Sequence, residues 1–95
     1  MATVDDLTIA YEEDGFEIVQ ELDKAILTKG AWSTIVYLYR DWDGAKEAYS
    51  KAKVTIRRYQ KRQGEYRQKS KFNLSSLDQA SKLNTILAKW IEEAE

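Results

Sequence analysis

The hydrophobic pattern of the chain runs at a period of two through its middle and switches to a helical period near residue 75. Phe16, Ile18, Leu22 and Ile26 fall on even positions, with Glu17, Glu21 and Asp23 between them. Such alternation predicts a strand with one buried face, and its length implies a bend or bulge near Asp23-Lys24. Lys29-Gly30 marks a turn, because Gly takes positive φ without steric penalty. Residues 31–42 are rich in β-branched and aromatic side chains with no internal Gly or Pro, which predicts a second strand, central in its sheet. Alternation returns at 53–60, with Val54 and Ile56 on one face and Thr55, Arg57 and Tyr59 on the other. It recurs at 66–74, with Phe72 and Leu74 on even positions and Arg67, Lys69 and Lys71 on odd ones. Residues 61–65, Lys-Arg-Gln-Gly-Glu, predict the hairpin loop between these two strands. Leu77, Ala80, Leu83, Leu87, Trp90 and Ala94 then recur at helical spacing, behind a capping box for which Ser76…Gln79 and Ser75…Asp78 are equal frames.

These elements predict an α+β fold, a four-stranded twisted antiparallel sheet followed by one C-terminal helix (β-β-β-β-α). A short helical insert is expected between strands two and three, where residues 45–51 contain helix formers and Asp43 offers a cap. Residues 1–14 show no sustained period and read as an acidic, flexible N-terminal arm; residues 15–95 read as a single domain. With 95 residues the core is thin, so homodimerisation would help the fold.

Composition removes several function classes. There is no Cys and no His, so thiolate chemistry, disulfides and the commonest general base and metal ligand are absent. Carboxylate pairs such as Asp41 and Asp43 have no accompanying nucleophile, base or phosphate loop, so the expectation is no enzyme, no metal, no cofactor and no small-molecule substrate. No long apolar run suggests a membrane span, and no signal peptide is evident, so a cytoplasmic location is expected.

Charge changes the picture most. The chain holds 15 Lys+Arg and 16 Asp+Glu, but unevenly. Residues 1–23 carry eight acids and no base, while Lys51 to Lys71 contains nine bases and one acid, Glu65. A concentrated basic stripe with interleaved tyrosines is the electrostatic footprint of a nucleic-acid surface. An acidic arm could fold over such a stripe and compete with a polyanion, or serve simply as a solvated tail. Register sharpens the stripe. Setting Val54 opposite Phe72 and Ile56 opposite Ser70 keeps apolar residues together under the C-terminal helix. The same register sets Thr55 against Lys71, Arg57 against Lys69 and Tyr59 against Arg67 on an outer face, with Arg58 toward the helix side. Lys61 and Arg62 fall on the hairpin loop. Tyr37 and Tyr39, on the central strand, are further candidates for stacking on bases. A charged edge that only resists aggregation is the plainer alternative.

The order of motifs resembles the positive cofactor four type of transcriptional coactivator and its small bacterial relatives. Residues 16–22 (Phe-Glu-Ile-Val-Gln-Glu-Leu) look like the opening strand of the bacterial members. Residues 53–59 (Lys-Val-Thr-Ile-Arg-Arg-Tyr) look like their third strand, and residues 70–75 (Ser-Lys-Phe-Asn-Leu-Ser) take the place of the segment before their helix. Lys71 stands where the family often has Gly, Phe72 replaces Ile, and Ala80 stands where an aromatic is common. The resemblance implies a homodimer that binds single-stranded DNA across its sheets with little sequence preference, and it places Arg57, Tyr59 and Lys71 on matching positions. Arg67 and Lys69 enter from register alone. The expected function is thus non-catalytic binding of single-stranded nucleic acid, DNA before RNA, in transcription regulation. The alternative is a protein-interaction or structural module with the same fold.

Overall fold

The computed structural model of the chain describes residues 3–94. Six strands form an antiparallel sheet curled into a half-barrel: β1 (Tyr11–Glu13), β2 (Phe16–Thr28), β3 (Trp32–Asp43), β4 (Ala48–Tyr49), β5 (Lys53–Arg62) and β6 (Glu65–Leu74). One helix, α1 (Leu77–Ala94), follows, and a single 3-10 turn (Val4–Asp6) precedes them. The order across the sheet is β1-β2-β3-β5-β6, with β4 paired to the end of β3. The four-stranded sheet with a helical insert is therefore corrected at two places.

The first correction is the insert. The Asp43 carboxylate accepts the N–H groups of Ala45 (3.0 Å) and Lys46 (3.3 Å), closing a turn instead of capping a helix. Glu47, at φ 50°, leaves helical backbone, and β4 returns to pair Tyr49 with Trp42. Helix propensity is worth only tenths of a kcal/mol per residue. Against it stands an aromatic cluster: Tyr49 lies 5.1 Å from Trp42 and 6.3 Å from Phe16, ring centre to ring centre, and its hydroxyl donates to the Glu17 carbonyl at 2.7 Å. The second correction is β1. Asp14 and Gly15 both take positive φ (53° and 79°), the geometry of a two-residue hairpin turn, so the end of the arm pairs with β2.

The β5–β6 hairpin is also tighter than its sequence implied. Gln63 (φ 52°) and Gly64 (φ 79°) form a two-residue turn in place of the loop expected at 61–65, so Lys61 and Arg62 belong to β5. This turn pairs Arg62 with Glu65, Lys61 with Tyr66, Gln60 with Arg67 and Tyr59 with Gln68. Continued without interruption, that register would set Ile56 against Lys71 and mix apolar with basic residues on each face. A bulge that leaves Lys69 unpaired resolves the conflict. Beyond it Arg58 meets Ser70, Arg57 meets Lys71, Ile56 meets Phe72 and Val54 meets Leu74. Each residue of β5 below the bulge thus meets a partner two positions later than the alternation alone suggested. In β2 the register also slips, at Leu22, close to the expected bend, and again at Leu27.

The main core cluster lies on one face of the sheet. Ser33, Ile35 and Tyr37 of β3 and Thr55 and Tyr59 of β5 are buried there, with Ile26 and Tyr66 at the margins. Val4, from the N-terminal arm, is buried among them at 6 % exposure, and Leu7 and Ile9 pack beside it. The arm, expected to be frayed, closes this core. On the other face Leu74, opposite Val54, is buried. That face also carries Val54, Ile56 and Phe72, the residues expected to lie beneath the helix. Instead, α1 buries none of its residues and Phe72 is 61 % exposed. The helix is capped as foreseen, the Gln79 N–H donating to the Ser76 hydroxyl at 3.1 Å. Among the described residues no helix is long and apolar enough to cross a membrane.

Candidate nucleic-acid interface

Arg57 and Lys71 stand directly opposite one another across β5 and β6, on the face that holds the core. A neutral network fixes the guanidinium without discharging it. Arg57 Nη1 donates to Gln68 Oε1 at 2.8 Å, and Nε to Thr55 Oγ1 at 3.5 Å. The Thr55 hydroxyl in turn donates to Asn73 Oδ1 at 2.6 Å. Toward the turn, Lys61 Nζ sits 5.5 Å from the centre of the Tyr66 ring. At the other end Lys53 is neutralised by Asp41 (3.2 Å). Among the described residues, none of Arg57, Lys61, Lys69 and Lys71 pairs with a carboxylate. Two like charges held face to face repel, so this pair weakens the hairpin unless an anion bridges it.

The hairpin divides the expected stripe. Arg57, Tyr59, Lys71, Lys61, Tyr37 and Tyr39 share the core face, as their cross-strand pairings show. Arg67 and Arg62 do not: they pair with Gln60 and Glu65 on the opposite face, and Arg67 lies 3.7 Å from the Glu65 carboxylate. Lys69 is the bulged residue between the two registers. The two-residue turn is the physical cause, since it flips the upper half of β6 and brings Tyr66 and Gln68 to the core face in place of Arg67 and Lys69. Arg58 lies on the opposite face as expected, but stacks over Trp32, 4.3 Å from its centre, with no carboxylate partner among the described residues.

Lys24 was missed. Alternation in β2 puts it with Phe16 and Ile18. The bulge at Leu22 reverses the parity, so that Glu21, Lys24 and Ile26 meet Tyr39, Tyr37 and Ile35. Lys24 Nζ donates to the main-chain carbonyls of Asp5 (2.7 Å) and Leu7 (2.6 Å). Glu21 Oε1 accepts the Thr8 hydroxyl (2.8 Å) and the Ile9 N–H (3.2 Å). These bonds bind the arm down across the core face. Hydrogen bonds from the backbone and side chain of Thr3, with Lys24 adding its charge, hold the Asp6 carboxyl below its ordinary value.

The two tyrosines nearest Arg57 are not free surfaces. Tyr37 is 0 % exposed, and its hydroxyl is hydrogen-bonded to that of Tyr59 at 3.1 Å. Burial first, and the Tyr59 hydroxyl second, push the Tyr37 phenol far above the ordinary tyrosine value of 10.0. A raised pKa contributes stability that is complete below the unfolded value and is lost as pH rises above it. Ultraviolet titration of the native chain is therefore expected to leave Tyr37 protonated where exposed tyrosines ionise. Urea melts are expected to show stability falling above about pH 10, the unfolded tyrosine value. Tyr37→Phe should flatten that fall; an unchanged slope would remove Tyr37 as its source.

Comparison with protein-family models, curated proteins and solved structures finds no match for this chain, so the likeness to the coactivator family rests on its motifs alone.

Proposed function

We propose that the chain binds single-stranded nucleic acid, DNA in the first place, without catalysis and with little sequence preference, as a cytoplasmic homodimer in transcription regulation. The observation that carries this reading is the pairing of Arg57 with Lys71 on one concave face beside Tyr59, Lys61 and Tyr66, with no carboxylate neutralising either base among the described residues. Cations in that arrangement suit phosphate oxygens, and aromatic side chains suit the faces of bases. Arg62 and Arg67, away from this face, and Lys69 at the bulge steer a polyanion toward the hairpin without defining its path. Fluorescence anisotropy of a labelled oligothymidylate is the direct test. Binding is expected at low salt and should weaken steeply toward physiological salt. No binding at low salt would end this reading and leave a protein-interaction module.

The homodimer is supported by surface. The chain exposes 7067 Å², whereas a compact monomer of 11.0 kDa exposes about 5,600 Å². Its radius of gyration is 15.4 Å, against roughly 12 Å for a compact chain of this length. The excess, about 1,450 Å², is nearly twice the roughly 800 Å² that a protomer buries in an ordinary interface and falls in the range of obligate homodimers. Exposed large apolar side chains occur on the helix stripe (Leu77, Leu87, Trp90, Ile91) and on the sheet, among them Leu27 and Phe72. Helix and sheet of a second copy would cover both.

A further inference from the structure

The arm occupies the groove that the basic hairpin borders. Val4 is the only buried residue outside the sheet among the described residues, and it sits in one cluster with Ile35, Tyr37 and Tyr59. With Val4 in place, neither tyrosine offers a ring face to a ligand. Lys24 is turned into the same groove and spends its ammonium on two neutral carbonyl oxygens of the arm. Phosphate oxygens are stronger acceptors for that group than carbonyls, because a phosphate adds the attraction of a full negative charge where a carbonyl offers only a dipole.

We propose that residues 3–9 are a displaceable occupant of the nucleic-acid groove, and that their contacts map those of the ligand. The seat of Val4 beside Tyr37 and Tyr59 receives a nucleobase, and Lys24 receives a phosphate once Asp5 and Leu7 release it. This inference rests on the nucleic-acid reading above. Three features make the arm suited to leaving. It is a single 3-10 turn followed by irregular chain, so it carries little structure of its own. Its anchors are a few apolar side chains and the bonds from Lys24 and to Glu21. It also carries Asp5 and Asp6, with no base before Lys24, so a polyanion entering the groove repels it. A ligand that must displace the arm binds more weakly than one meeting an open groove, by the fraction of chains in which the groove is open.

The test is hydrogen exchange of the full chain with and without oligothymidylate, read at the Ile9 N–H that donates to Glu21. Binding accompanied by loss of Ile9 protection is the expected result. Binding with Ile9 still protected overturns the inference and leaves the nucleic-acid reading standing. Absence of binding at low salt overturns both. Val4→Asn in the full chain should tighten oligothymidylate binding by about tenfold, the factor expected when the open form is about a tenth of the population. Adding Lys24→Gln to that variant should weaken binding again and lower the salt slope by about 0.7, the loss of one phosphate contact on a single strand. Equal affinity of Val4→Asn and the parent, or a salt slope untouched by Lys24→Gln, would count against the groove's assignment.

Discussion

Replacing Arg57 and Lys71 together by Gln is expected to lower the affinity for oligothymidylate by about a hundredfold or more, since hydrogen bonds to charged groups contribute about 1.5 kcal/mol or more each. The slope of log K against log salt should fall by about 1.4, because each phosphate contact on a single strand accounts for about 0.7. The loss should be similar for oligonucleotides of different sequence, since phosphate contacts carry no base information. The informative control is the opposite face. Arg62→Gln with Arg67→Gln removes the same charge from the same hairpin, but from side chains paired with Glu65 and Gln60. Its effect should be confined to a small loss of long-range attraction. Equal losses in the two double variants would mean that net charge, and not the concave face, binds the ligand. Stability should move the other way for Lys71→Gln, because the variant relieves the repulsion with Arg57; cross-strand pairs of this kind are worth about 0.2–1 kcal/mol.

Sedimentation of the intact chain is expected to give a dimer, and Trp90→Asp with Ile91→Asp a monomer. Trp90 is 61 % exposed on the helix stripe, next to an equally open Ile91. Buried aromatic anchors of an interface commonly cost about 2 kcal/mol or more on truncation, roughly thirtyfold in the dimer dissociation constant for one residue. The melting temperature of the parent should then rise with protein concentration, and that of the variant should not. A parent that sediments as a monomer at every concentration, with a melting point independent of concentration, would refute the dimer. Neither Trp90 nor Ile91 is a proposed ligand contact, so the substitutions test assembly without removing one. Weaker DNA binding by the monomer would then show that two faces are used at once, since a second site on one assembly raises overall affinity by effective concentration.

The hairpin shows how far alternation can be read. Val54, Ile56 and Phe72 were placed on one face and Arg57 and Lys71 on the other, and that division holds because one residue of slip would mix the apolar and basic sets on each face. The partners were not legible. Turn length fixes register from one end and hydrophobic pattern fixes it from the other, and in this chain they disagree by one residue. Only the closed hairpin reveals that Lys69 absorbs the difference, and so that Arg67 leaves the stripe. The same holds in β2, where the bulge at Leu22 moves Lys24 to the core face. The insert failed for a related reason. Residues 45–51 have helical propensity, but Tyr49 gains Trp42 and Phe16 only as a strand, and those residues are distant in sequence.

By itself the sequence determined the parts whose physics is local. These are the turn at Gly30, the strand character of residues 16–26 and 31–42, the presence of a hairpin connection within 61–65, the capped amphipathic helix, and the segregation of acid from base along the chain. Each depends on residues within a few positions of one another, where backbone sterics and side-chain spacing decide. The tertiary structure decided which face is covered and by what. Helix periodicity implied that α1 would shield Val54 and Ile56, yet an amphipathic stripe does not say whether its cover lies in the same chain. An aperiodic acidic arm likewise gave no sign that one valine within it would fill the space between two tyrosines. Burial is a pairing of surfaces far apart in sequence, and here it covers the tyrosines beside the basic hairpin with the arm and leaves Phe72 and the helix stripe exposed.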